Sequence, residues 1–128
     1  PQVVAKAHDV IDIHRESIRR AVAAGVRIAM GTDSGVGPHG QNLRELGLMC
    51  EVGMSPEQAL VATTSSAAEL LRVDGELGTI AEGKRADLVV VDGDPFDIKT
   101  LRDRIEQVWK DGRQVSTGTC QTTEETIQ

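Results

Sequence analysis

Asp33 is the residue in this sequence best placed to do chemistry. It follows an apolar, β-branched run at 26–30 (Val26, Arg27, Ile28, Ala29, Met30) that reads as a short buried strand. Gly31 ends the run, and a polar, Gly-rich loop occupies 32–40. An acidic residue just past the end of a buried strand stands where α/β enzymes place catalytic groups. The work open to a carboxylate there is proton transfer. An aspartate can also simply bond the backbone of its own loop, as Asp often does in turns. This stretch alone fits both readings. His39 lies in the same loop, and its ring can contact a substrate carbonyl or carboxylate or simply face solvent.

The totals limit the class of protein. The chain has 128 residues, enough for one ordinary domain. Hydrophobic residues make up 39% and charged residues 27%, the balance of a soluble globular sequence. Aromatics are 2%, which disfavours single-strand nucleic-acid binding by base stacking. The net charge of −6 argues against phosphate-backbone partners. No apolar run is long enough to span a bilayer, so no membrane partner is expected. Cys50 and Cys120 lie far apart and suggest neither a metal pair nor a disulfide framework, so a reducing, cytoplasmic setting is the expectation. Residue 1 is Pro, and a signal peptide upstream of it would leave no trace here.

The elements that must position Asp33 are legible in order. Residues 4–24 read as a helix, with Val4, Ala7, Ile11, His14, Ile18, Ala21 and Val22 on one face. His14, on that face, reads as a packing residue, and His8, off it, as solvated. Gly25 stops the helix and delivers the chain to 26–30. Helix, Gly, buried strand is one unit of a parallel α/β fold. Residues 42–52 read as a second helix with Leu43, Leu46, Gly47 and Cys50 on one face. Cys50 then reads as a small buried apolar residue. Gly53 ends that helix. Ser55-Pro56-Glu57-Gln58 reads as a helix start with a capping box. Thr64 or Ser65 can cap a further short helix.

From Asp74-Gly75 onward turns and strands take over. Residues 86–91 read as a strand with an apolar centre, and 98–101 as one helical turn. Residues 105–110 and 113–115 read as strands joined by an Asp111-Gly112 hairpin signal. The division expected is 1–73, 74–115 and a polar tail at 116–128. Neither of the first two parts is complete, because one strand at 26–30 needs neighbours for its backbone groups.

Several motifs together resemble a known family. Gly31-Thr32-Asp33 resembles the last barrel strand of the metal-dependent amidohydrolase superfamily. Gly53-Met54-Ser55-Pro56-Glu57-Gln58-Ala59-Leu60 and Ala62-Thr63-Thr64-Ser65-Ser66-Ala67-Ala68 are similar to the helical region after it. Gly78-Thr79-Ile80 with Glu82-Gly83-Lys84-Arg85-Ala86-Asp87 and the apolar run to Asp92 resembles the family's return to a small β-sandwich. There Lys84, Arg85 and Asp87 read as fixing the domain junction. Val108-Trp109-Lys110-Asp111-Gly112-Arg113 resembles its closing hairpin. Pro38-His39-Gly40 and Asn42-Leu43-Arg44-Glu45-Leu46 most resemble the Xaa-Pro dipeptidase and carboxypeptidase branch, with imidazolonepropionase-like enzymes close by.

The resemblance implies a fold and an activity. The fold is an α/β TIM (β/α)₈ barrel of about 250 residues, of which this chain supplies the last β/α unit. The C-terminal part of a composite β-sandwich follows. One or two divalent ions, usually zinc, are implied at the strand ends. The family's His-x-His pair, bridging residue and further histidine ligands have no counterpart here, and His8, His14 and His39 do not match them. Asp33 matches the final-strand aspartate, implied to touch metal and to pass the attacking water's proton to the departing nitrogen. The activity implied is hydrolysis of a C–N bond in a small peptide or amide, as in an Xaa-Pro dipeptidase. The alternatives are an imidazolonepropionase-like cyclic-amide hydrolase and a catalytically inactive association fragment. The partners implied are that substrate and the missing N-terminal barrel portion, with a homo-oligomer also open. With most ligands missing, the 128-residue chain alone is expected to be inactive.

Overall fold

The computed structural model describes residues 2–33, 35 and 40–115, with backbone alone for 2–9. Within them lie four α-helices, a 3₁₀ turn and one three-stranded sheet. The first helix, α1 (Gln2–Ala23), ends as the sequence requires. Gly25 takes φ +73°, its N–H donates to the Val22 carbonyl, and the Val26 N–H reaches back to the Ala21 carbonyl. This crossed pair of bonds, around a left-handed residue without a Cβ, is a Schellman ending. The second helix, α2 (Arg44–Glu51), closes the same way around Gly53 at φ +106°.

Helix α3 (Pro56–Thr63) opens on the full capping box. The Gln58 N–H donates to Ser55 Oγ at 3.1 Å, and the Ser55 N–H to Gln58 Oε1 at 2.8 Å. Helix α4 (Ser65–Leu70) follows, but no side chain caps it. The Thr64 hydroxyl instead donates to the Leu60 carbonyl one turn back. Helix α4 also ends on a Schellman pattern, with Arg72 rather than Gly at φ +59°.

The second half is an antiparallel meander. Strands β1 (Leu88–Val91), β2 (Ile105–Lys110) and β3 (Arg113–Val115) lie in that order, with Leu88 opposite Trp109 and Val108 opposite Val115. Asp111 and Gly112 both take positive φ, +51° and +74°, as a two-residue hairpin turn of this hand requires. Asp87 fixes the hairpin from outside: its carboxylate accepts from the Asp111 N–H at 2.8 Å and from Lys110 Nζ at 2.6 Å. Arg104 grips the turn after β1, donating to the carbonyls of Asp92, Asp94 and Asp97 and to Thr100 Oγ1.

Both halves feed one small core. Leu46 and Met49 of α2, Ala59 and Ala62 of α3, and Leu101 of the 3₁₀ turn are buried together, with Ile28, Met30, Val91 and Ile98 packed at the edge. Small alanines let the helices approach closely.

Three expectations fail here. Residues 26–30 form no hydrogen-bonded strand among the described residues, and Val26 is 55% exposed. A strand's ladder needs a second strand, and the only three strands described pair with each other. The apolar face of α1 is only partly covered among the described residues: Ile18, Ala21 and Val22 are half-buried, but Ile11 is 49% exposed and His14, read as packed, is exposed. Cys50 is half-buried rather than buried, a free thiol at the core's edge. The polar tail at 116–128 lies outside the described residues.

Candidate active site

The segment that leads to Asp33 is held from one side by α3. The Met30 N–H donates to the Ala62 carbonyl at 3.0 Å, and the Thr63 hydroxyl lies 3.4 Å from Met30 Sδ. Arg27 pairs with Glu69 of α4. The chain therefore leaves the helical layer at a fixed point, Met30, three residues before Asp33.

Asp33 itself is exposed and takes φ +45°. That left-handed region is open to Asp more than to most residues, and non-Gly residues held there gather at functional sites. Thr32, just before it, is half-buried, and its Oγ1 accepts from Asn42 Nδ2 at 3.4 Å. Asn42 sits at the mouth of α2, where the Glu45 N–H donates to its carbonyl at 3.1 Å. The sequence marks Asn42 as a helix-start residue and as part of a family-like motif; its contact with Thr32, ten positions away, leaves no local signal. His39 lies outside the described residues, as do Ser34 and the rest of 36–39, so the expected pocket rim at 32–40 is described only in part.

Behind Gly31 opens a cleft of about 590 Å³ between α1, residues 28–31 and α2. Ile11, Ile18, Ile28, Met30 and Leu48 make it apolar, and His14, Arg15 and Glu45 give it three polar side chains. His14 is thus brought to the same side as residues 28–31, but not into a cluster with Asp33. Among the described residues no three His, Cys, Asp or Glu side chains converge where a metal ion would sit. A bound zinc needs three or four protein ligands. Asp33 alone does not meet that need, so these residues do not by themselves fit a metal. No helix among the described residues is long and apolar enough to cross a membrane.

The chain is of mixed helix and strand content, and sequence similarity identifies its class. The chain belongs to the amidohydrolase family, whose model matches residues 3–119. That family is generally metal-dependent. A solved Xaa-Pro dipeptidase with methionine in its active site superposes with a TM-score of 0.80 at 39% identity, over 90% of this chain and 29% of that one. Ochratoxinase from Aspergillus niger is 34% identical over 114 residues, 85% of this chain and 23% of that enzyme. Imidazolonepropionase from Treponema denticola is 29% identical over 104 residues, 77% of this chain and 25% of that enzyme. The chain thus spans about a quarter of the length of the curated relatives it matches.

Proposed function

We propose that this chain is the C-terminal portion of a metal-dependent hydrolase that cleaves C–N bonds in small peptides, with Asp33 as its catalytic carboxylate. The observation that carries the reading is the match to an Xaa-Pro dipeptidase over nine-tenths of the chain, at 39% identity. In this reading residues 1–73 are the last β/α unit of a (β/α)₈ barrel and residues 74–115 part of a β-sandwich. The run at 26–30, which lacks a strand partner among the described residues, and the exposed part of α1's apolar face are surfaces that the rest of the barrel covers. The divalent ions, zinc among them, would be held by Asp33 together with residues this chain does not supply. We place the protein in the cytoplasm on its two cysteines, which lie far apart in sequence and suggest no disulfide framework.

Asp33's own task needs one proton. Its carboxylate accepts the proton of the attacking water and delivers it to the departing amide nitrogen, so that no strong base leaves. Asp33 is exposed, which leaves its carboxylate accessible to a substrate. His39 is proposed to contact the substrate's carbonyl or carboxylate. The likeness to imidazolonepropionase keeps a cyclic amide as the second substrate class.

The test compares two proteins against a panel of Xaa-Pro dipeptides and a cyclic amide, with and without chelator. The full-length protein carrying this chain should cleave the dipeptides in a chelator-sensitive way. The 128-residue chain alone should bind zinc poorly and cleave nothing. Robust, chelator-sensitive activity from the chain alone would refute the division of labour. A full-length protein inactive on every C–N substrate while carrying a full metal complement would refute the activity.

A further inference from the structure

Asp33 stands between two anchors, and only one belongs to the strand-like run. On its N-terminal side, Met30 is tied to α3 through the Ala62 carbonyl and the Thr63 hydroxyl. Between Met30 and Asp33 lie only Gly31, which has no Cβ to restrain its backbone, and Thr32. Gly35 follows shortly after at φ +130°. A left-handed aspartate set among glycines has many alternative backbone arrangements unless something else fixes it.

The second anchor is the bond from Asn42 Nδ2 to Thr32 Oγ1, which closes the base of the loop across ten residues. Asn42 is itself immobilised. Its carbonyl takes the Glu45 N–H at the entry to α2, and α2 is pinned one turn on by Leu46, which is fully buried. The core thus reaches Asp33 by two routes: α3 to Met30, and α2 to Asn42 to Thr32.

We propose that Asn42 is a positioning residue that, through the Thr32 hydroxyl, holds Asp33 in its left-handed conformation and so aims its carboxylate. The proposal rests on the catalytic reading of Asp33 for its kinetic consequence, but its structural part stands alone. It needs a donor at position 42 and a hydroxyl at position 32. Thr32→Ser keeps the hydroxyl, whereas Thr32→Val keeps the shape and removes it.

The structural arm uses the 128-residue chain and its amide spectrum by nuclear magnetic resonance. Thr32→Val and Asn42→Ala should both shift the Asp33 backbone amide, and Thr32→Val should also move the Asn42 side-chain amide. Thr32→Ser should leave both in place. Helical circular dichroism, unchanged throughout, shows that each variant is folded; any that is not is replaced by Asn42→Leu, which keeps the approximate size and removes every polar atom of the side chain. An Asp33 amide indifferent to the loss of either group overturns the proposal.

The kinetic arm uses the full-length protein with Asp33→Asn beside the other variants. Misplacing a catalytic group by about an ångström costs up to about a hundredfold. Thr32→Val and Asn42→Ala should lower kcat by about ten- to a hundredfold, with KM within about twofold and metal content unchanged. Thr32→Ser should restore kcat. The double variant should be no worse than either single one, because both break the same link. If Asp33→Asn abolishes turnover while the position-32 and position-42 variants keep theirs, the positioning proposal fails and the catalytic reading survives. If Asp33→Asn turns over normally, the catalytic reading fails, and the spectra alone decide the link.

Discussion

Gly78 is the position where a single methyl group should do most damage. It takes φ +88°, and a Cβ built there would lie 2.6 Å from Ala68 Cβ. Ser65 Cα and the Thr64 carbonyl oxygen would each be 3.1 Å away. None of these atoms is the end of a flexible side chain; they are the wall of α4. Two costs add in Gly78→Ala. Holding an L-residue in the left-handed region costs about 1–2 kcal/mol. Forcing a methyl into a packed contact costs about 1–3 kcal/mol more. The sum, about 2–5 kcal/mol, is a large share of an ordinary domain's stability of about 5–15 kcal/mol. Gly83 separates the two terms, since it has φ +83° but no atom within 4 Å of its would-be Cβ. Gly83→Ala should therefore lose only the backbone part. The unfolded-state gain of Gly→Ala is common to both and cancels in the difference. Urea unfolding followed by helical circular dichroism and by Trp109 fluorescence measures both variants. Equal destabilisation of the two would refute the steric argument. A neutral Gly78→Ala would refute the packing of residues 76–80 on α4 altogether.

Three other outcomes are expected. Asp33→Asn in the full-length protein should lower kcat by about a hundred- to ten-thousandfold, since it keeps the shape and loses the proton acceptor; near-normal turnover on an Xaa-Pro dipeptide would count against the role given to Asp33. The Asp87 carboxyl is held below its ordinary range, first by the Asp111 N–H and then by Lys110. A lowered folded-state pKa means stability that is present above the unfolded value and lost as pH falls through the folded one. Melting of the wild type should thus fall between neutral and strongly acidic pH, and Asp87→Asn should flatten that fall, whereas parallel curves would show that Asp87 contributes nothing. Arg72 occupies the left-handed end of α4 where glycine normally sits, so Arg72→Gly should raise stability by about 0.5–1 kcal/mol; a loss in urea unfolding would show that its side chain supports the fold.

The sequence by itself determined what short-range bonds decide. Ser55 and Gln58 make their capping box, Gly25 and Gly53 their left-handed helix ends, and Asp111-Gly112 its turn. Each of these is settled within six residues by a hydrogen bond or by the absence of a Cβ, so residue type at fixed spacing suffices. The motifs of the amidohydrolase family were legible for the same reason. Four features were not legible locally. The run at 26–30 has every property of a buried strand, yet strand formation depends on a neighbour, and neighbours are not encoded in the run. His14 lies on an apolar stripe, yet burial depends on what covers the stripe. Arg72 takes a glycine's conformation because α4 must end where it does. Thr32 and Asn42 meet only because the core orients α2 toward the end of the 26–30 run. Tertiary structure decided these because each is an agreement between segments distant in sequence, and the means of holding Asp33 is one of them.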